Sequence, residues 1–138
     1  MASFNKFNSF VEAIAEKVHN LGSDQLKVAL CAAANAPVAT NTQLSNLTEI
    51  SYTNLSSRNI TTSASAQSSG TYKLTLTDLV LSASGGSVAA FRYIVLYNDT
   101  ATNKELIGWY DYGSDLTLAS GESLTIDFDG TNGVLTLA

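Results

Sequence analysis

Apolar residues recur at helical spacing only at the start of the chain. Phe4, Phe7, Val11, Ile14, Val18 and Leu21 follow at steps of three and four. Phe10 and Ala15 widen that stripe, and Asn8, Glu12, Glu16 and Asn20 fall on other faces. The spacing predicts an N-terminal helix within residues 1–22, with Ser3 as N-cap and Gly22 at C′. Beyond Gly22 the period drops to two. Leu26-Lys27-Val28-Ala29-Leu30-Cys31 predicts a strand with Leu26, Val28 and Leu30 on one face. Leu44 to Leu47 suggests a single helical turn.

The second half alternates throughout. Strands are predicted at Tyr72–Thr77, Leu79–Leu81, Phe91–Tyr97, Glu105–Tyr110, Leu116–Leu118, Leu124–Phe128 and Val134–Leu137. Ser84-Gly85-Gly86, Asp111-Tyr112-Gly113, Ala119 to Glu122 and Asp129 to Gly133 punctuate them as turns. Phe91–Tyr97 is the longest of these runs, and its aromatic and β-branched content suits a central position. The expected fold class is α+β: an N-terminal helix followed by a mostly antiparallel β-sandwich or barrel-like domain, 23–138, in a single domain.

Between about 33 and 70 the pattern is weak, and Ser56 to Gly70 is nearly all Ser, Thr and Ala. A loop of that length is either loosely ordered or an arm that orders against a neighbour. Ile60-Thr61-Thr62 and Tyr52-Thr53 retain enough strand propensity to pair at an edge.

Composition narrows the classes. In 138 residues, 45% are hydrophobic and 14% charged, with Ser, Thr and Asn in place of the missing charge. A net charge of −5 leaves no basic footprint for phosphates, so no nucleic-acid partner is expected. No run approaches the roughly 18 apolar residues of a membrane span, and Asn5, Lys6 and Asn8 break up any secretory leader. Synthesis in a cytoplasm as a chain without a membrane partner is the expectation.

Candidate chemistry is sparse. His19 is the single imidazole and, near the predicted helix end, suits the dipole better than catalysis. Cys31 sits in an apolar strand as a small buried hydrophobe. Glu12 and Glu16 share a solvated helix face. Asp127 to Gly133 fails the EF-hand pattern, because Asn132 stands at the glycine position and Ala138 at the bidentate glutamate position. A turn held by Asx-type bonds is expected instead. Asp111, Asp115 and Glu122 would have to converge to act as glycosidase carboxylates, and no motif places them together. Gly85-Gly86 lacks the spacing of a phosphate loop. No catalytic residue, metal site or cofactor is expected.

Several stretches belong together: Phe4-Asn5-Lys6-Phe7-Asn8, Val18 through Leu30, Ala36-Pro37-Val38-Ala39-Thr40-Asn41, Phe91 through Asp99, Leu106 through Gly113, and Asp127 through Ala138. As a set they resemble a widespread family of small structural proteins of tailed bacteriophages. The family often has a Gly-rich stretch after its Thr-Glu-Ile block, whereas Thr48-Glu49-Ile50 here runs into Ser51-Tyr52-Thr53.

The resemblance implies a non-enzymatic virion protein, a capsid decoration or cement protein on the outer surface of the head. It implies a trimer or dimer whose partner is the major capsid protein. Such a protein needs a rigid scaffold and a means of association, which a negative, hydroxyl-rich surface allows. The expected contact residues are Phe4, Asn5, Phe7 and Phe10 in the first segment and Tyr52, Arg58 and Ile60 in the long loop. The alternative is an adhesin-like tail or fibre module, with Trp109, Tyr110 and Tyr112 meeting host glycans.

Overall fold

The computed structural model describes residues 2–138, and its architecture follows from which strands are apolar on both faces. β6 (Phe91–Asn98) holds Ile94, Val95, Leu96 and Tyr97 in one buried run. It lies between β7 (Leu106–Leu116) and β2 (Leu26–Cys31), and β1 (Asn5–Lys6) adds to β7. The resulting four-stranded sheet has the order β1-β7-β6-β2, antiparallel throughout.

Two smaller antiparallel sheets complete the body. One comprises β3 (Thr62–Ser68), β4 (Thr71–Leu76) and β9 (Leu135–Leu137); the other pairs β5 (Leu79–Ser82) with β8 (Ser123–Ile126). The three sheets remain separate and form no closed barrel among the described residues. The main core draws on all of them. Val28, Leu30, Leu96 and Ile107 of the large sheet meet Leu74, Leu76, Leu81 and Ile126 of the others.

The predicted helix is much shorter than its stripe. Only Ser9–Ala15 is helical (α1), following β1. Asn8 stands at the N-cap position, without a side-chain bond, in place of Ser3. Lys17, not Gly22, provides the left-handed C′ residue, with φ 67°. Val18 N–H donates to Ala13 C=O at 2.9 Å, the long bond of a Schellman turn. The aromatic stripe is nonetheless satisfied within the chain: Phe7 and Phe10 are buried, and Phe4 packs on Tyr110.

β1 can lie on β7 because Gly108 has no side chain. A Cβ there would meet the Phe4 ring and would come within 2.6 Å of Asn5 O. Trp109 and Tyr110 then point to opposite faces of β7. Phe7 covers Trp109 on one side at 4.6 Å between centroids; Phe4 and Phe128 flank Tyr110 on the other.

Asp111-Tyr112-Gly113, predicted as a turn, lies inside β7. It is a bulged stretch in which Tyr93 faces Asp111 and Phe91 faces Leu116. Gly113, with φ 102°, and the Gly113 N–H donated to Asp111 Oδ1 absorb the extra residues. β7, with 11 residues, is therefore the longest strand, and of the separate strand predicted at Leu116–Leu118 only Leu116 is extended, as the last residue of β7.

The segment 33–70 is neither a free arm nor an unstructured loop. Its last part, Ser/Thr/Ala-rich, is β3 itself, in a hairpin with β4. Its first part folds back over the second face of the large sheet. Leu44 and Leu47, on and after a 3₁₀ turn at Leu44–Asn46, cover a second core of Phe7, Ala29, Val95, Tyr97 and Leu106. Backbone bonds from Leu44 N to Lys104 O and from Leu106 N to Thr42 O hold it there.

Candidate functional site

The structure disperses the expected contact residues and makes most of them structural. Phe7, at 0% exposure, Phe10, at 2%, and Ile60, at 3%, lie in the chain's own interior and present no surface. Apolar side chains at helical spacing are as useful to a sheet's core as to a neighbour, and here the core takes them. Phe4 is half-buried between Tyr110 and Gly108. Asn5 is exposed in β1, its Nδ2 donating to Trp109 O.

Tyr52 and Arg58 join Glu49 in a partly buried polar cluster against β2. Without an adjoining strand, β2 would leave backbone groups unsatisfied beside its apolar core. Irregular backbone and side chains supply the missing bonds. Ile50 N–H donates to Leu30 O, Val28 N–H to Arg58 O, and Ile60 N–H to Leu26 O. Leu30 N–H donates to the Tyr52 hydroxyl at 3.0 Å, and that hydroxyl donates to Glu49 Oε1. Arg58 Nη1 donates to Val28 O at 2.7 Å. Burial and the bond to Glu49 push the Tyr52 phenol far above its ordinary range. The cluster seals an edge.

His19 lies four residues beyond α1 rather than at its C-terminus, so the dipole role does not apply. It is buried against Phe10, and its Nδ1 accepts from Asn98 Nδ2 at 3.0 Å. That bond leaves the proton of the neutral ring on Nε2. The same Asn98 amide donates to Asp24 Oδ2 at 2.6 Å, while Asn98 Oδ1 accepts from Thr100 N and Ala101 N. Among the described residues, His19 Nε2 and Glu105 Oε2 are buried without a partner. Desolvation lowers the His19 pKa, partly offset by Glu105 and then Asp24. Cys31 is fully buried, and burial together with Glu49 raises its thiol to about 11.

The carboxylates each hold their own segment. Asp111 takes Arg92 in a two-pronged pair at 2.8 and 3.1 Å, Asp115 accepts from Ala33 N, and Glu122 accepts from Ala119 N. Arg92 first, then the Gly113 N–H, holds the Asp111 carboxyl below its usual range against a smaller desolvation. Asp129 closes the 129–133 turn by accepting from Thr131 N, Asn132 N and Asn132 Nδ2. That is the Asx-bonded turn its sequence predicts.

The aromatic trio does not share a platform. Tyr110 is buried, with burial, Asp127 and Asp129 raising its phenol to about 12, while Trp109 lies on the opposite face under Phe7. Tyr112 alone is open, at 48%.

What sequence reasoning missed is a groove between α1 and β9. Two clefts, of about 490 and about 210 Å³, both have Leu137 in their walls. Val11 and Leu137, both exposed, stand beside it, and Lys17 and Lys6 lie in its walls. Alternation in Val134–Leu137 gave the strand, but not its position at the edge of a sheet beside a helix. Comparisons with protein-family models, with curated proteins and with solved structures find no match to this chain.

Proposed function

We propose that this chain is a non-enzymatic structural protein of a tailed-phage virion. In this reading it decorates or cements the capsid, associates with its own copies as a trimer or dimer, and binds the major capsid protein. The three sheets serve as a sandwich-type scaffold on the head surface.

The observation that carries the reading is how the polar side chains are used. Glu49, Tyr52, Arg58, Asp24, Asn98, Asp111, Asp115 and Glu122 all bind backbone or one another to fix loops on the β body. The outermost strands β3 and β9 meanwhile remain at open sheet edges. A rigid frame with available edges suits repeated, modest contacts, which many copies on one particle add by avidity. The resemblance of several stretches to small phage structural proteins points the same way.

Co-sedimentation of the purified chain with assembled heads, followed by cryo-electron microscopy of the decorated particle, tests it. Density for the chain at regular positions on the shell is expected. Heads that leave the chain in the supernatant, and particles with no density for it, would refute the proposal.

A further inference from the structure

We propose that the groove between α1 and β9 receives an extended segment of another polypeptide, one that alternates apolar and acidic residues and adds as a strand to the free edge of β9. The inference goes beyond the virion reading and does not depend on it.

Backbone, side-chain and charge observations converge on this occupant. Among the described residues β9 pairs only with β4, which leaves its other edge without a neighbouring strand. Beside that edge, Val11 is 49% and Leu137 39% exposed, with half-buried Ile14, Tyr72 and Leu135 continuing the apolar surface. These side chains suit the apolar face of an incoming strand.

The charge is specific. In a chain of net charge −5, the groove walls carry Lys6 and Lys17, and neither forms an ion pair among the described residues. The one carboxylate in the walls, Asp24, is already bound to Asn98 Nδ2 and Asn20 N. Lys17 also stands at the left-handed C′ position of α1, φ 67°, where glycine is the ordinary choice. A basic or uncharged strand would gain nothing from these cations; an acidic one is attracted and held in register.

The test uses the full chain and two capped heptapeptides, Glu-Val-Asp-Leu-Glu-Val-Asp and its analogue with lysine at every acidic position. Fluorescence anisotropy measures binding, and amide shifts in nitrogen-15 spectra locate it. The acidic peptide is expected to bind and to shift Leu135–Leu137, Val11 and Lys17. The double variant Lys6→Glu/Lys17→Glu and the single variant Leu137→Asp should each weaken binding about tenfold or more. All three positions are exposed, and unchanged circular dichroism and melting would show that the variants remain folded.

Equal binding of both peptides, binding of neither, or shifts away from β9 would overturn the proposal. So would a dimer in sedimentation that Leu137→Asp dissolves, because the occupant would then be a second copy of this chain. Head binding that survives Leu137→Asp, with peptide binding lost, would separate this groove from the decoration role.

Discussion

The Arg58 guanidinium carbon lies over the Tyr52 ring, 3.6 Å from its centroid, and together the two close the outer edge of β2. Each also bonds β2 directly: Tyr52 through the N–H of Leu30, Arg58 through the C=O of Val28. With the backbone bonds at Ile50, Arg58 and Ile60, these two side chains do the work of a neighbouring strand.

Tyr52→Phe should therefore destabilise the fold by about 1–3 kcal/mol, because it strands the Leu30 N–H beside the core. Arg58→Lys should restore little of what Arg58→Ala loses, since an ammonium neither stacks as a plane nor reaches as a fork. Urea denaturation of the three single variants and of the Tyr52→Phe/Arg58→Ala double variant checks both points. Because the residues touch, the double variant should lose less than the sum of the singles.

Gly108 decides whether the N-terminal segment docks. Gly108→Val would drive a side chain into the Phe4 ring and the Asn5 carbonyl, so β1 must lift from β7. The expected cost is about 1–3 kcal/mol. A local signature should accompany it, since Phe7 leaves Trp109 and the tryptophan emission moves to the red. Faster amide exchange confined to residues near β1 would identify the lesion; uniform loosening would contradict it.

The contrast between what the chain revealed and what it concealed turns on long-range partners. β2, β4, β6 and β8 are visible in sequence because alternation and apolar runs report burial locally. The helical stripe from Phe4 to Leu21 misleads, because Phe4, Phe7, Ile14, Val18 and Leu21, wholly or partly buried, lie before, within and after the short α1 and keep the spacing of one helix face, while Val11 stays exposed. Only the missing side chain of Gly108, about a hundred residues away in sequence, permits β1. β3 escaped notice for the opposite reason: its Ser/Thr/Ala face is exposed, so it has no apolar alternation and is defined by pairing with β4. The burial of Cys31 and the Asx-bonded turn at Asp129 were legible because both depend on near neighbours. The polar seal of Glu49, Tyr52 and Arg58 spans residues whose meeting requires β2, and the groove requires α1 and β9 together. No local pattern encodes either.

His19 should make stability fall in mild acid. Its pKa in the folded chain lies below the ordinary 6.5, chiefly through burial. Between those two values the unfolded chain binds a proton that the folded chain does not, so stability rises with pH. The contribution is complete above about 6.5, declines as the pH drops below it, and levels off once the folded imidazole itself protonates. His19→Gln keeps an amide near Asn98 without this titration. Urea midpoints measured from pH 8 to pH 5 should slope less for the variant than for the parent; parallel slopes would remove His19 as the cause.

The backbone of residues 39–50 should resist proteolysis, contrary to what a free arm would do. Cleavage needs a stretch of chain to leave its neighbours, and this one is held by Leu44 N–Lys104 O, Leu106 N–Thr42 O and Ile50 N–Leu30 O as well as by Leu44 and Leu47. The exposed β3–β4 turn at Ser69-Gly70, both at positive φ, is the more accessible site, and limited digestion should begin there. Leu44→Asp/Leu47→Asp would put two carboxylates against Phe7, Val95 and Leu106, an apolar surface with no cation among the residues of that core. The segment should then detach and become the first site of cleavage, with the large sheet still folded through its other face. Mass spectrometry of early fragments distinguishes the two orders. Early cleavage within residues 39–50 of the parent chain would show that the cover is not held closed by these contacts.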